Sequence, residues 1–130
     1  MSIQPISTLG QFVASKPIIE ADYLDVTMLA KEAGFHFSFI GISQAVHFQV
    51  VDVPERIGAY PIEMITKQLL KRAWREARKF PSQSQVSFTV CKPAAKDDIY
   101  AHHPVTLVAS IEHNVKSRPV LIITTLEEAQ

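Results

Sequence analysis

The chain of 130 residues contains one cysteine, Cys91. A single thiol closes no internal disulfide, so the fold has no covalent staple and rests on its core. Glycine is scarce too, at four residues, which leaves little of the permissive backbone from which phosphate cradles are built. No Gly-x-Gly-x-x-Gly, Walker, Gly-x-Ser-x-Gly or His-Glu-x-x-His pattern occurs. No apolar run approaches the roughly 18 residues that a membrane-spanning helix requires. The opening Met1-Ser-Ile-Gln-Pro5 lacks a basic stretch followed by an apolar one, so no secretory signal is expected. By elimination the expected location is cytoplasmic. Net charge is absent as well, with 13 Lys plus Arg against 13 Asp plus Glu. A neutral chain does not coat nucleic acid or an acidic membrane by bulk charge.

What is present is ordinary globular composition, 47% hydrophobic and 20% charged. At about 100–200 residues per domain, residues 1–130 form a single domain. Pro5 and Pro17 interrupt the first 20 residues, with room for one helical turn between Thr8 and Ser15, so this segment is expected to be loosely ordered or laid over the surface. Residues 26–33 read as a short helix. Val26, Leu29, Ala30 and Ala33 recur at helical spacing, Asp25 or Thr27 can cap the first turn, and Gly34 suits the left-handed position that stops it. Phe35 to Ile40 alternates with three aromatics on one side, which predicts an extended segment broken by Gly41. Residues 43–51 fit either a strand or a helix capped by Ser43. Residues 53–61, with two prolines and a glycine, read as loop.

The clearest element spans about 61–80. Ile62, Ile65, Leu69, Leu70, Ala73, Ala77 and Phe80 share one face of a long amphipathic helix. Three strands are expected after it, at about 85–92, 104–113 and 118–126, with a polar loop at 93–103 and a short connection at 114–119. Cys91 reads as a small strand residue. Successive strands without intervening helices predict a three-stranded antiparallel meander, and a one-sided helix on a sheet makes the class α+β.

The zero total charge is a sum of unlike parts. Residues 67–79 carry six basic side chains against one acid, a local +5, and the rest of the chain carries −5. The candidate binding face is Lys67, Lys71, Arg72, Arg75, Arg78 and Lys79, with Trp74 beside the apolar stripe. Three readings fit it: a solvated face at a helix C-terminal half, contact with an acidic part of this or a neighbouring subunit, or a docking face for an acidic partner. A nucleic-acid surface would add an aromatic able to stack, for which Trp74 is the candidate. No zinc-finger, RNP or helix-turn-helix spacing supports base readout.

Chemistry is sparse elsewhere. Asp97 and Asp98 are adjacent in a polar loop, where such pairs serve turns. His102 and His103 are neighbours that point apart on an extended segment, so they converge poorly on a metal. No cofactor, metal or catalytic residue is expected.

The segment Asp25-Val-Thr-Met-Leu-Ala-Lys-Glu-Ala-Gly-Phe-His-Phe37 resembles a motif of a family of small uncharacterised bacterial proteins frequent on plasmids, phages and integrated mobile elements. The family pattern is Asp-Val-Ser/Thr, two variable residues, then Ala-Arg-Glu-Ala-Gly-Phe-Arg/Lys-Phe-Pro, followed by Ser/Thr-x-Ala-Val-Trp. Here Lys31 stands for the common Arg, Ser38 for the proline, and Ser43-Gln-Ala-Val-His47 carries His in place of Trp. Glu20-Ala21 stands where the family has Asp-Gly. The likeness covers about residues 20–125. Downstream of the motif it is one of pattern, at Val86–Val90 and Pro104–Leu107. The resemblance implies a bacterial mobile-element context and a helix at 43–51, and it brings no site residues with it.

These readings lead to an expected non-enzymatic accessory protein that binds a macromolecule, with a protein or a second copy as partner. The alternative is a nucleic-acid-binding regulator using the helix at 67–79.

Overall fold

A computed structural model describes residues 16–51, 62–91 and 104–129. Expected features in 1–15, the loop at 53–61, Pro61, Lys92 and the loop at 93–103 with Asp97, Asp98, His102 and His103 lie outside the described residues.

A single 3-10 turn at Glu20–Asp22 leads into β1 (Leu24–Asp25), α1 (Thr27–Ala33) and β2 (Ile40–Ile42). A three-residue helical turn, α2 (Gln44–Val46), runs on into a π-helical turn at His47–Val51. The long helix α3 (Ile62–Lys79) precedes the strands β3 (Gln85–Cys91), β4 (Pro104–His113) and β5 (Pro119–Thr125), and α4 (Leu126–Ala129) follows them. The class is α+β, as the sequence predicts. The expected three-stranded sheet is larger and mixed: five strands in the order β1-β2-β5-β4-β3. Strands β3, β4 and β5 pair antiparallel in succession, but β2 joins β5 in parallel, with Ile40 opposite Leu121 and Ile42 opposite Ile123.

That added strand explains the unbroken apolar run in β5. With neighbours on both sides and cover on both faces, Val120 to Ile123 are all buried, so the strand shows little alternation. At the edge, β3 alternates cleanly: Val86, Phe88 and Val90 point to the helices, while Gln85, Ser87, Thr89 and Cys91 are exposed. The main core lies between the sheet and the helices. It joins Leu69, Leu70 and Ala73 of α3 to Ala30, Phe35, Ile40, Val46, Phe88, Leu107 and Ile123. A smaller cluster on the other face holds Phe39, Val120 and Ile122, with Ile18 and Tyr23 against it.

Three expectations are corrected. The aromatics of 35–39 do not share a side: Phe35 and Phe37 join the main core and Phe39 the opposite cluster, because the chain bends at Ser38. Gly41 does not break the strand but lies within β2. A Cβ there would stand 2.7 Å from a Phe39 ring carbon and 2.8 Å from Tyr23 Cβ, so the residue serves close approach. The apolar stripe of α3 is shorter than its sequence pattern. Ile62 and Phe80 at its ends are exposed, and buried Thr66 takes part, its hydroxyl donating to the Ile62 carbonyl at 2.9 Å.

Local chemistry closes the connections. Asn114 Oδ1 accepts from the amides of Lys116 at 2.9 Å and Arg118 at 3.0 Å, which fixes the β4–β5 turn, and Ser117 adopts φ 61° there. Thr125 Oγ1 accepts from the Glu128 amide while Glu128 Oε1 accepts from the Thr125 amide, a reciprocal cap for α4. The same Glu128 oxygen accepts from the Ser43 hydroxyl at 2.6 Å, tying the chain end to the start of α2.

Candidate binding face

The orientation of α3 follows from its buried residues, Thr66, Leu69, Leu70 and Ala73. At 100° per residue, Lys67, Trp74 and Arg78 then fall on one flank, toward α1. Gln68, Arg72, Arg75 and Lys79 fall on the other, toward β3, with Lys71 outward between them. The six cations of the candidate face therefore occupy both flanks of the helix.

The α1 flank is closed by the protein's own groups. Asp25 Oδ1 accepts from the Thr27 amide at 2.9 Å and from the Thr27 hydroxyl, capping α1. Thr27 Oγ1 in turn accepts from the Ile40 amide at 3.0 Å, which fastens α1 to β2. At the other end the Gly34 amide donates to the carbonyls of Ala30 and Lys31, and the Phe35 amide to that of Ala30 at 3.0 Å. Gly34 has φ 122°, and a Cβ on it would lie 2.6 Å from Trp74 Cε2 and Nε1. Glycine is required there twice over, by its backbone and by the indole lying against it. Arg78 lies over that indole, its guanidinium carbon 4.5 Å from the ring centroid. Lys67 is paired with Glu32 of α1 at 3.2 Å and lies 3.8 Å from Glu63. Trp74 is thus half-buried, packed against the core and covered by a cation.

Among the described residues the β3 flank is open. Lys79 pairs with Glu76 at 3.2 Å. Among the described residues, Lys71, Arg72 and Arg75 form no salt bridge. Arg72 Nε donates to the Thr89 carbonyl at 3.1 Å, across the edge of the sheet. Lys71, Arg72, Arg75 and Gln68 rim a groove of about 380 Å³ with Val50, Ile65, Leu69 and Val90 as its apolar floor and Cys91 at its end. Sequence reasoning finds the three cations but misses the groove, whose walls come from three separated segments.

Cys91 is free and exposed at this groove. No group of His, Cys, Asp and Glu among the described residues is arranged to hold a metal ion. No helix among them is long and apolar enough to cross a membrane. Tyr23 is the one described group whose acidity is clearly displaced. Burial pushes its phenol up, aided by the negative charges of Glu128, Asp22 and Glu112. It lies with the smaller core cluster on the other face of the sheet.

Compared with family models, curated proteins and solved structures, the chain matches none.

Proposed function

We propose that the protein is a non-enzymatic accessory protein that acts by binding another macromolecule at the α3–β3 flank. The observation that carries this reading is the set Lys71, Arg72 and Arg75, three cations without a carboxylate partner among the described residues, placed around an apolar groove. Cations around an apolar floor suit a protein segment that offers both carboxylates and apolar side chains. The likeness of Asp25 to Phe37 to a motif of mobile-element proteins supports a bacterial mobile-element setting. The motif itself is accounted for by structure: cap, short helix, glycine stop and tryptophan seat.

Nucleic acid is the alternative partner. The stacking platform expected for it, Trp74, is half-buried, packed against the core and Gly34, and lies under Arg78. This favours a protein. The test is fluorescence anisotropy with labelled poly-glutamate and labelled duplex and single-stranded DNA, at low and moderate salt. Binding of poly-glutamate that is lost in the Arg72→Glu/Arg75→Glu variant is the expected result. Preference for DNA, with a steep salt dependence, would shift the reading to the nucleic-acid regulator. No binding of any polyanion at low salt would reject the flank as a docking site.

A further inference from the structure

Among the described residues strand β3 ends the sheet, and its register gives the direction of its backbone groups. The Ile111 amide donates to the Ser84 carbonyl at 2.7 Å, and the register continues through Val86 opposite Ala109, Phe88 opposite Leu107 and Val90 opposite Val105. In an antiparallel ladder the bonded pairs alternate, so Val86, Phe88 and Val90 turn their N–H and C=O inward to β4. Ser87 and Thr89 turn theirs outward. The Arg72 bond to the Thr89 carbonyl independently places that oxygen on the outer side. Two hollows flank this edge. One is the cationic groove toward α3. The other, about 430 Å³, lies at the Gln85–Ser87 end and is lined by Phe80, Val108 and Leu126.

We propose that β3 is a docking strand for an extended acidic peptide segment of a partner protein, which adds to the sheet as a sixth strand and is admitted by Arg72. This rests on the reading of the α3–β3 flank as a protein-binding face. An exposed edge is a hazard that proteins cover with charge, and Arg72 covers this one by occupying Thr89. A peptide N–H takes over the Thr89 carbonyl. The released guanidinium then meets a peptide carboxylate, a stronger charge-assisted bond than the one it gives up. Lys71 and Arg75 hold further carboxylates on the same side, and an apolar side chain between them enters the groove over Leu69 and Val90. Alternate residues of the added strand face the opposite hollow beside Phe80 and Leu126. The charge decides the occupant. A second copy pairing through the same edge would bring two sets of Lys71, Arg72 and Arg75 together across one strand spacing, well inside the screening length. A basic peptide meets the same repulsion.

The probe is a labelled nine-residue peptide with Asp, Glu, Leu, Asp and Glu at odd positions and Thr at even ones, read by anisotropy at low salt. Its twins carry Lys for every acid, or N-methyl groups on alternate amides in either of the two phases. The acidic peptide is expected to bind. Methylation in one phase only should weaken it about tenfold, since two backbone hydrogen bonds are lost. Ser87→Pro removes an outward donor without a ladder bond and should weaken binding at least about tenfold, with an unchanged circular dichroism spectrum. Peptide should also slow the reaction of Cys91 with a thiol reagent, because that thiol borders the groove. If both methylation phases and Ser87→Pro bind like the parent while Arg72→Glu/Arg75→Glu does not, strand addition is overturned and the basic docking face stands. Absence of binding by both this peptide and poly-glutamate overturns both. Concentration-dependent dimerisation that Ser87→Pro abolishes would assign the edge to a second copy and overturn the peptide.

Discussion

The two flanks of α3 both carry cations and have opposite fates. Toward α1, Lys67 meets Glu32 across the two helices and Arg78 lies on Trp74, four residues earlier on α3 itself. Toward β3, Lys71 and Arg75 face a groove and Arg72 rests on a backbone carbonyl at a sheet edge. The difference lies in the neighbours and in the helix's own tryptophan. On one side α1 supplies Glu32 and α3 its own Trp74, and on the other, among the described residues, an edge strand supplies backbone and small polar side chains. A count of local charge therefore overstates the surface on offer, and partner geometry decides which cations are available.

The largest effect should come from breaking the closed flank. Gly34→Ala places a Cβ in a positive-φ position and against the Trp74 ring, and should cost about 3 kcal/mol of stability in urea unfolding. A loss under about 1 kcal/mol would mean that the indole moves aside freely. Next, Arg72→Glu/Arg75→Glu sharpens the contrast. Both sites are exposed, so stability should change within about 0.5 kcal/mol while polyanion binding falls at least about tenfold. Equal losses of stability and binding would show that the open flank is structural after all. Lys67→Ala should cost no more than about 0.5 kcal/mol, since the pair with Glu32 is solvent-screened, and should leave peptide and polyanion affinity nearly unchanged. A large binding loss in that variant would erase the distinction between flanks.

The smallest effect lies away from α3 and serves as a control. The Tyr23 phenol is raised above its ordinary value near 10.0 by burial and by Glu128, Asp22 and Glu112. The folded state then holds this proton more tightly than the unfolded state. Its contribution is intact below the ordinary tyrosine value and is lost as pH climbs through the raised folded value. Tyr23→Phe should flatten the fall in melting temperature above about pH 10 and leave peptide binding at neutral pH as it is. An unchanged alkaline slope would remove Tyr23 from that transition.

Elements whose partners are near in sequence, or whose pattern is long, were readable from the chain. The α3 periodicity runs for about five turns, and β3, β4 and β5 alternate or run apolar between turn residues. The Asp25–Thr27 cap and the Gly34 stop each act within a few residues of the helix they bound. Strands β1 and β2 were not readable, because two or three residues carry no period; β2 is held by β5, about 80 residues later, and β1 by β2. The helix or strand ambiguity at 43–51 has the same origin. Ser43 caps a turn there, with its Oγ accepting from the Val46 amide at 3.2 Å, but its own amide is held by the Ile123 carbonyl at 3.0 Å.

For the candidate site, residue type alone placed Lys71, Arg72 and Arg75 on an exposed helix surface, since charged side chains at these spacings cannot enter the core. It could not say that Lys67 was already engaged by Glu32, nor that Arg72 guards a sheet edge. Those outcomes depend on Glu32 and Thr89, groups 35 and 17 residues away from the cations they meet. The sequence by itself determined where charge and apolar surface accumulate, because both are properties of residues at a fixed local period. Only the tertiary structure decided which charge is left over, because neutralisation needs two groups within a few ångströms and the chain brings them there only by folding.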